Sequence, residues 1–83
     1  MWQLTRDNLM DRTAHVKSAD WKPNITLSHA FRLLDDDGNL YFEGIGNDAS
    51  SEDAFAPLDD YGEAFGCTEI RYFSHSTHRW EIL

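Results

Sequence analysis

The sharpest absence in this sequence is local: between Asp35 and Gly66 there is no lysine and no arginine. The same stretch carries Asp35, Asp36, Asp37, Glu43, Asp48, Glu52, Asp53, Asp59, Asp60 and Glu63, a formal charge of −10. Residues 1–34 hold +2, from Arg6, Arg12, Lys17, Lys22 and Arg32 against Asp7, Asp11 and Asp20, and residues 67–83 are neutral. The net charge of −8 is therefore a property of the middle segment alone. Phosphate binding requires Lys and Arg, so direct nucleic-acid binding by that surface is not expected.

Other absences narrow the class further. A single cysteine, Cys67, rules out an internal disulfide framework and leaves the hydrophobic core as the only staple. Apolar runs stay well short of the roughly 7 to 15 residues of a signal-peptide core or the roughly 20 that span a bilayer. A soluble, cytoplasmic protein without membrane contact is the expectation. No GxSxG, phosphate-cradling glycine loop or HExxH occurs, and adjacent helical carboxylates such as Asp59 and Asp60 diverge by about 100° rather than converging on one atom. A non-enzyme without cofactor is expected.

Eighty-three residues amount to one small domain, which buries only roughly 60% of its unfolded surface. The apolar content of 41% and aromatic content of 13% argue for a folded chain despite its charge. Trp2 and Leu4 alternate with Gln3 and Thr5, as in a short strand. From Arg6 to Asn24 no period survives, and a long irregular connection pinned by Trp21 is expected. Ala30–Leu34 and Leu40–Ile45 are apolar runs separated by an Asp/Gly/Asn loop, the pattern of a β-hairpin, with Gly38 able to take positive φ.

A helix should follow, capped by Ser50 with Asp53 three positions on. Pro57 lacks an amide donor, so a short turn over 51–55 and a second helix opening at Pro57 are expected. Phe55, Leu58, Gly62 and Phe65 supply the apolar stripe with Tyr61 beside it, and Gly66 terminates. Thr68, Ile70 and Tyr72 alternate, as do Trp80 and Ile82 across the loop Ser74–His78, giving a last hairpin with Trp80 and Ile82 pointing inward. The predicted fold is α+β: a small antiparallel sheet of two hairpins plus an N-terminal strand, with one proline-interrupted helix packed on one face.

Two constellations have ordinary explanations. Asp35-Asp36-Asp37-Gly38-Asn39 fails the calcium-loop register, since aligning Gly38 with the invariant glycine puts Leu33 at the first ligand position and Gly44 at the last. A hairpin turn is the expectation there. His75 and His78, with Cys67 at the base of the same hairpin, offer too few ligands for a structural zinc site. Cys67 follows a helix C-terminus, whose negative end disfavours a thiolate, so a packing cysteine is expected instead of a nucleophile.

What remains is the acidic surface. From Glu52 to Glu63 five carboxylates span about 16 Å at helical rise, one per roughly 3.3 Å, close to the roughly 3.4 Å between phosphates of a nucleic-acid strand. The leading expectation is a non-catalytic protein-binding module that docks Asp35, Asp36, Asp37, Asp48, Glu52, Asp53, Asp59, Asp60 and Glu63 on a basic protein surface, with a nucleic-acid-binding groove as the target of a phosphate mimic. In size, composition and charge the chain resembles the small acidic inhibitors that phages and mobile elements encode against host nucleic-acid enzymes. The alternative is an assembly subunit that pairs through a hairpin edge or through an aromatic surface of Trp21, Tyr41 and Phe73.

Overall fold

The two apolar runs around Gly38 do form a hairpin, and it is the centre of the molecule. In the computed structural model, which describes residues 1–83, strand β3 spans His29–Leu34 and strand β4 spans Leu40–Gly46. Gly38 takes a φ of +81° in the connecting turn, a conformation that costs an L side chain but not glycine. The Asp35 carboxylate closes the turn by accepting from the amides of Asp37 at 2.9 Å and Asn39 at 2.8 Å.

The remaining strands add to both sides of this hairpin. Strand β1 (Trp2–Asp7) pairs with β4 and strand β2 (Arg12–Thr13) with β1, while strand β5 (Glu69–Ser74) pairs with β3 and strand β6 (Arg79–Ile82) with β5. The spatial order is β2-β1-β4-β3-β5-β6, antiparallel throughout. Because β4 and β5 both run against β3, they run parallel to each other, and a parallel pair needs a long crossover. The helical segment supplies it, as a 3-10 turn over Glu52–Phe55 continuing into helix α1 (Ala56–Phe65). The architecture is α+β, a six-stranded antiparallel sheet with one helical layer.

Alternation in the strands sends Trp2, Leu4, Phe31, Leu33, Phe42, Ile70 and Tyr72 to the helix-covered face, where they join Ala54 and Cys67 in the core. Phe31 is fully buried, and its ring lies over Gly44 of the neighbouring strand: a Cβ there would collide with Phe31 Cζ and meet the Gln3 carbonyl at 2.5 Å. The Tyr72 hydroxyl crosses the core to donate to the Ala54 carbonyl at 2.8 Å, which ties the 3-10 turn to the sheet.

Four sequence expectations need correction. The helical cap is Ser51, whose hydroxyl accepts from the Asp53 amide at 3.3 Å, not Ser50. The apolar stripe is also rotated: Ala54 and Pro57 are buried with Tyr61 and Leu58 partly so, whereas Phe55 and Phe65 remain 37% and 44% exposed. The cause is Pro57, which leaves the preceding turn as 3-10, with about 3.0 residues per turn instead of 3.6. Third, the segment 6–24 is not wholly irregular. Arg6 and Asp7 complete β1 past a bulge, and the chain returns along β1 through Ala14 N–H to Thr5 O at 3.0 Å, Leu4 N–H to Val16 O at 2.7 Å and Ser18 N–H to Trp2 O at 2.9 Å.

Fourth, Trp80 and Ile82 do not point inward. They stand opposite Phe73 and Arg71, the residues of β5 that alternate away from core-facing Ile70 and Tyr72, so they lie on the uncovered face. Ile82 is 63% exposed, and Trp80 is covered by the Arg32 guanidinium, 4.0 Å above its ring, and by the edge of Phe73.

Gly44→Ala should cost roughly 1–3 kcal/mol, the range for forcing extra volume into a packed core. Denaturant unfolding measures it, and a variant as stable as the parent would show that Phe31 can leave its seat without cost.

A candidate acidic interface

The helical crossover decides where the acidic residues stand. It starts beyond Gly46, at one end of β4, and ends at Gly66, whose φ of +82° and amide bond to the Gly62 carbonyl at 2.8 Å close the helix. There Thr68 donates its amide to the Leu34 carbonyl at 2.9 Å and its hydroxyl to the Asp36 carboxylate. Asp48 therefore stands at the start of the helical layer and the Asp35–Asp37 turn at its end. Glu52, Asp53, Asp59, Asp60 and Glu63 lie exposed between them, over about 18 Å when the first turn is given 3-10 rise. The structure places the triad and Asp48 at opposite ends of one belt, with the helical carboxylates in its middle.

Three of the predicted residues are also structural. Asp48 accepts from the Ser50 and Ser51 amides at 2.9 and 3.2 Å and from the Ser51 hydroxyl. These donors, the Ser50 amide foremost, hold its carboxyl down to about 2. Asp35 accepts from the Asn39 side chain at 2.9 Å and the Tyr41 hydroxyl at 3.0 Å besides its turn amides, and the Asn39 bonds lead in lowering its pKa. Asp36 is held by Thr68. Asp37, Glu52, Asp53, Asp59, Asp60 and Glu63 make no side-chain hydrogen bond or ion pair through their carboxylates.

Charge is sorted across the fold. Arg6 pairs with Asp11, Arg12 with Asp7, Arg32 with Glu43, Arg71 with Glu69, and the N-terminal ammonium with Asp20. None of the nine predicted interface carboxylates is in an ion pair, while five of the other six acidic residues are. Asp20, which sequence reasoning left out, joins Asp53 and Asp60 around a recess of about 240 Å³ floored by Trp2 and Ala56. Its distance in sequence gave no sign of this.

The other surface features separate from the belt. A cleft of about 380 Å³ lined by His29, Tyr72, His75, Glu81 and Ile82 contains none of the nine carboxylates. Cys67 is buried in the core at the start of β5, whereas His75 and His78 lie beyond its other end against Phe73, so the suggested grouping of cysteine and histidines is not formed. Burial, with Asp35 adding to it, pushes the Cys67 thiol up to about 11. No group of three or more His, Cys, Asp or Glu side chains is set to hold a metal ion, and no helix is long and apolar enough to cross a membrane. No protein-family model, curated protein or solved structure matches the chain.

Because the folded Asp48 carboxyl titrates near 2 against an ordinary 3.8, its contribution to stability is present above about 3.8 and is lost as pH falls toward about 2. Asp48→Asn should lower the thermal midpoint at neutral pH by roughly 4–8 °C, the scale of a lost cap in a small domain. That difference should vanish across the same pH window; a difference independent of pH would refute the assignment. Cys67 runs the other way. The folded thiol stays protonated up to about 11 while the unfolded one ionises near 9.0, so its contribution to stability is present below 9.0 and is lost as pH rises toward about 11. The native thiol should resist alkylation at neutral pH and react on addition of urea.

Proposed function

We propose that the chain is a non-catalytic binding module of the cytoplasm whose acidic belt docks on a basic protein surface, and that a nucleic-acid-binding groove, with carboxylates standing in for phosphates, is the surface it fits. The observation that carries this reading is the sorting of charge: four of the seven Lys and Arg residues pair with acids outside the belt, and none of the seven pairs with a belt carboxylate. Like charges along one helix repel and cost folding stability. A partner that supplies the cations relieves that cost on binding.

The physics sets the expected behaviour. The Debye length is about 10 Å at 0.1 M salt, shorter than the belt, so several contacts must form together and binding should be fast and strongly salt-dependent. Asp35, Asp36 and Asp48 are held in fixed positions by their local bonds and would present charge without losing much side-chain freedom.

A second reading, assembly with another copy or chain, is favoured by a different observation. The sheet face opposite the helix carries Phe73 and Trp80 with no layer over it, and β6 is a free edge. Self-association that persists at high salt in sedimentation would favour it over the acidic dock.

Replacing Asp59, Asp60 and Glu63 together by Lys tests the leading reading. Immobilised parent protein should retain basic nucleic-acid-binding proteins from a lysate and release them to added duplex DNA or salt. The reversed protein should retain none of them while melting no lower than the parent, since repulsion within the helix is reduced. Equal retention by both proteins would sink the proposal.

A further inference from the structure

Charge alone selects a class of surfaces, and an anchor selects among them. Beside the belt, between helix α1 and the returning segment 12–16, lies a cleft of about 340 Å³ with Leu4, Phe42, Tyr61 and Phe65 in its floor and Val16 in its wall. Its size suits an aliphatic or aromatic side chain. The rings in it are already ordered: Phe65 stacks on Tyr61 with centroids 5.3 Å apart and meets Phe42 edge-on at 5.0 Å. Phe65 and Val16 each remain 44% exposed at the edge of the cleft, so apolar surface is open to a second molecule there.

The cleft and the belt share a boundary. Tyr61 forms one side of it; its neighbour Asp60 reaches into the recess with Asp20 and Asp53, and the edge contact of Trp2 with Tyr61, at 5.8 Å, separates the two hollows. The Tyr61 phenol is held protonated to higher pH by burial and then by the carboxylates of Asp60 and Asp7, so the field of both reaches into the apolar floor. The cation that lines the cleft, Arg12, is paired with Asp7 at 3.6 Å. Asp7 and Arg12 cancel within the cleft, so the uncompensated charge beside it is that of the helix, from Asp60 next to Tyr61 onward, and an apolar hollow flanked on that side by unpaired carboxylates fits a basic segment.

We infer that the partner offers an apolar side chain flanked by lysine or arginine, and that this side chain seats in the Leu4–Phe42–Tyr61–Phe65 cleft while the flanking cations meet Asp60 and the carboxylates beside it. The inference rests on the reading that the acidic belt binds a basic surface, and it adds the anchor that holds the complex once charge has assembled it. Steering by the belt sets the association rate, and burial in the cleft sets the dissociation rate.

Two short lysine-rich peptides of equal length and charge test this, one carrying leucines and the other serine at the leucine positions. The leucine peptide should bind about tenfold tighter, the return for burying one such side chain, and should shift the ring resonances of Tyr61 and Phe65, which the serine peptide leaves unmoved. Val16→Trp, at a half-exposed position, should fill the cleft and bring the leucine peptide down to the affinity of the serine peptide. Equal binding of both peptides to the parent, or a leucine advantage that survives Val16→Trp, would overturn the anchor. The Lys reversal of Asp59, Asp60 and Glu63 separates the two claims: if it weakens neither peptide, the charge reading fails, whereas the leucine-to-serine ratio judges the anchor alone.

Discussion

The seat of Phe31 on Gly44 is the contact on which the rest of the structure depends. The two residues face each other across the central strand pair, and the absence of a side chain at 44 lets the ring lie down on β4 instead of standing up from the sheet. A flat ring leaves room for Tyr72 beside it, at 5.7 Å between centroids, and Tyr72 reaches far enough to donate to the Ala54 carbonyl. That bond joins sheet to crossover, and Ala54 and Pro57 come down onto the core as a result. The height of the helical layer is thus set by one missing Cβ. With the helix that close, its small residues go under and its carboxylates have nowhere to point but outward.

The outward charge is then organised by ordinary turn chemistry. Asp48 and Asp35 each gather backbone amides at a place where the chain changes direction, the first entering the helical crossover and the second closing the β3–β4 turn. Buried or paired carboxylates would have neutralised the field, but these are bound to amides and hydroxyls, which stabilise the charged form and leave the charge in place. The belt therefore begins and ends on fixed charges, and its middle is carried by a helix without a cation in its last turn. A surface built this way has both rigidity and unspent charge.

Local signals were legible in the sequence and non-local ones were not. The β3–β4 hairpin could be read from Leu33, Phe42 and Gly38, and the interruption at Pro57 and the stop at Gly66 followed from the missing amide and the positive φ. The rotated stripe was not legible, because a periodicity count assumes one helical pitch and Pro57 imposes two. The return of residues 14–18 along β1 was not legible either, since it is made by backbone groups of residues with no alternating pattern. The role of Asp48 hid for a similar reason: its partner Ser50 was itself read as the cap. Of the nine acidic residues, the five from Glu52 to Glu63 were read from sequence as an exposed helical run, which they are, but sequence had no means of adding Asp20, which reaches the recess of Asp53 and Asp60 from the segment that follows β2.

Width explains both the misplaced side chains of β6 and the cleft. Six strands spaced about 4.8 Å apart make a sheet roughly 24 Å across, and one α-helix with its side chains is only about 10–12 Å wide. A single helix can cover the middle strands and no more. Its Tyr61 and Phe65 reach over to Trp2 of β1 and Phe42 of β4, and on that side Leu4 and Phe42 are closed by those two rings and by the segment 12–16 instead of by a second helix. A chain of this length has no second helix to fill the gap. The aromatic cleft next to the acidic carboxylates is therefore a consequence of building six strands with one helix, which leaves two rings and an extended segment to close what a second helix would cover.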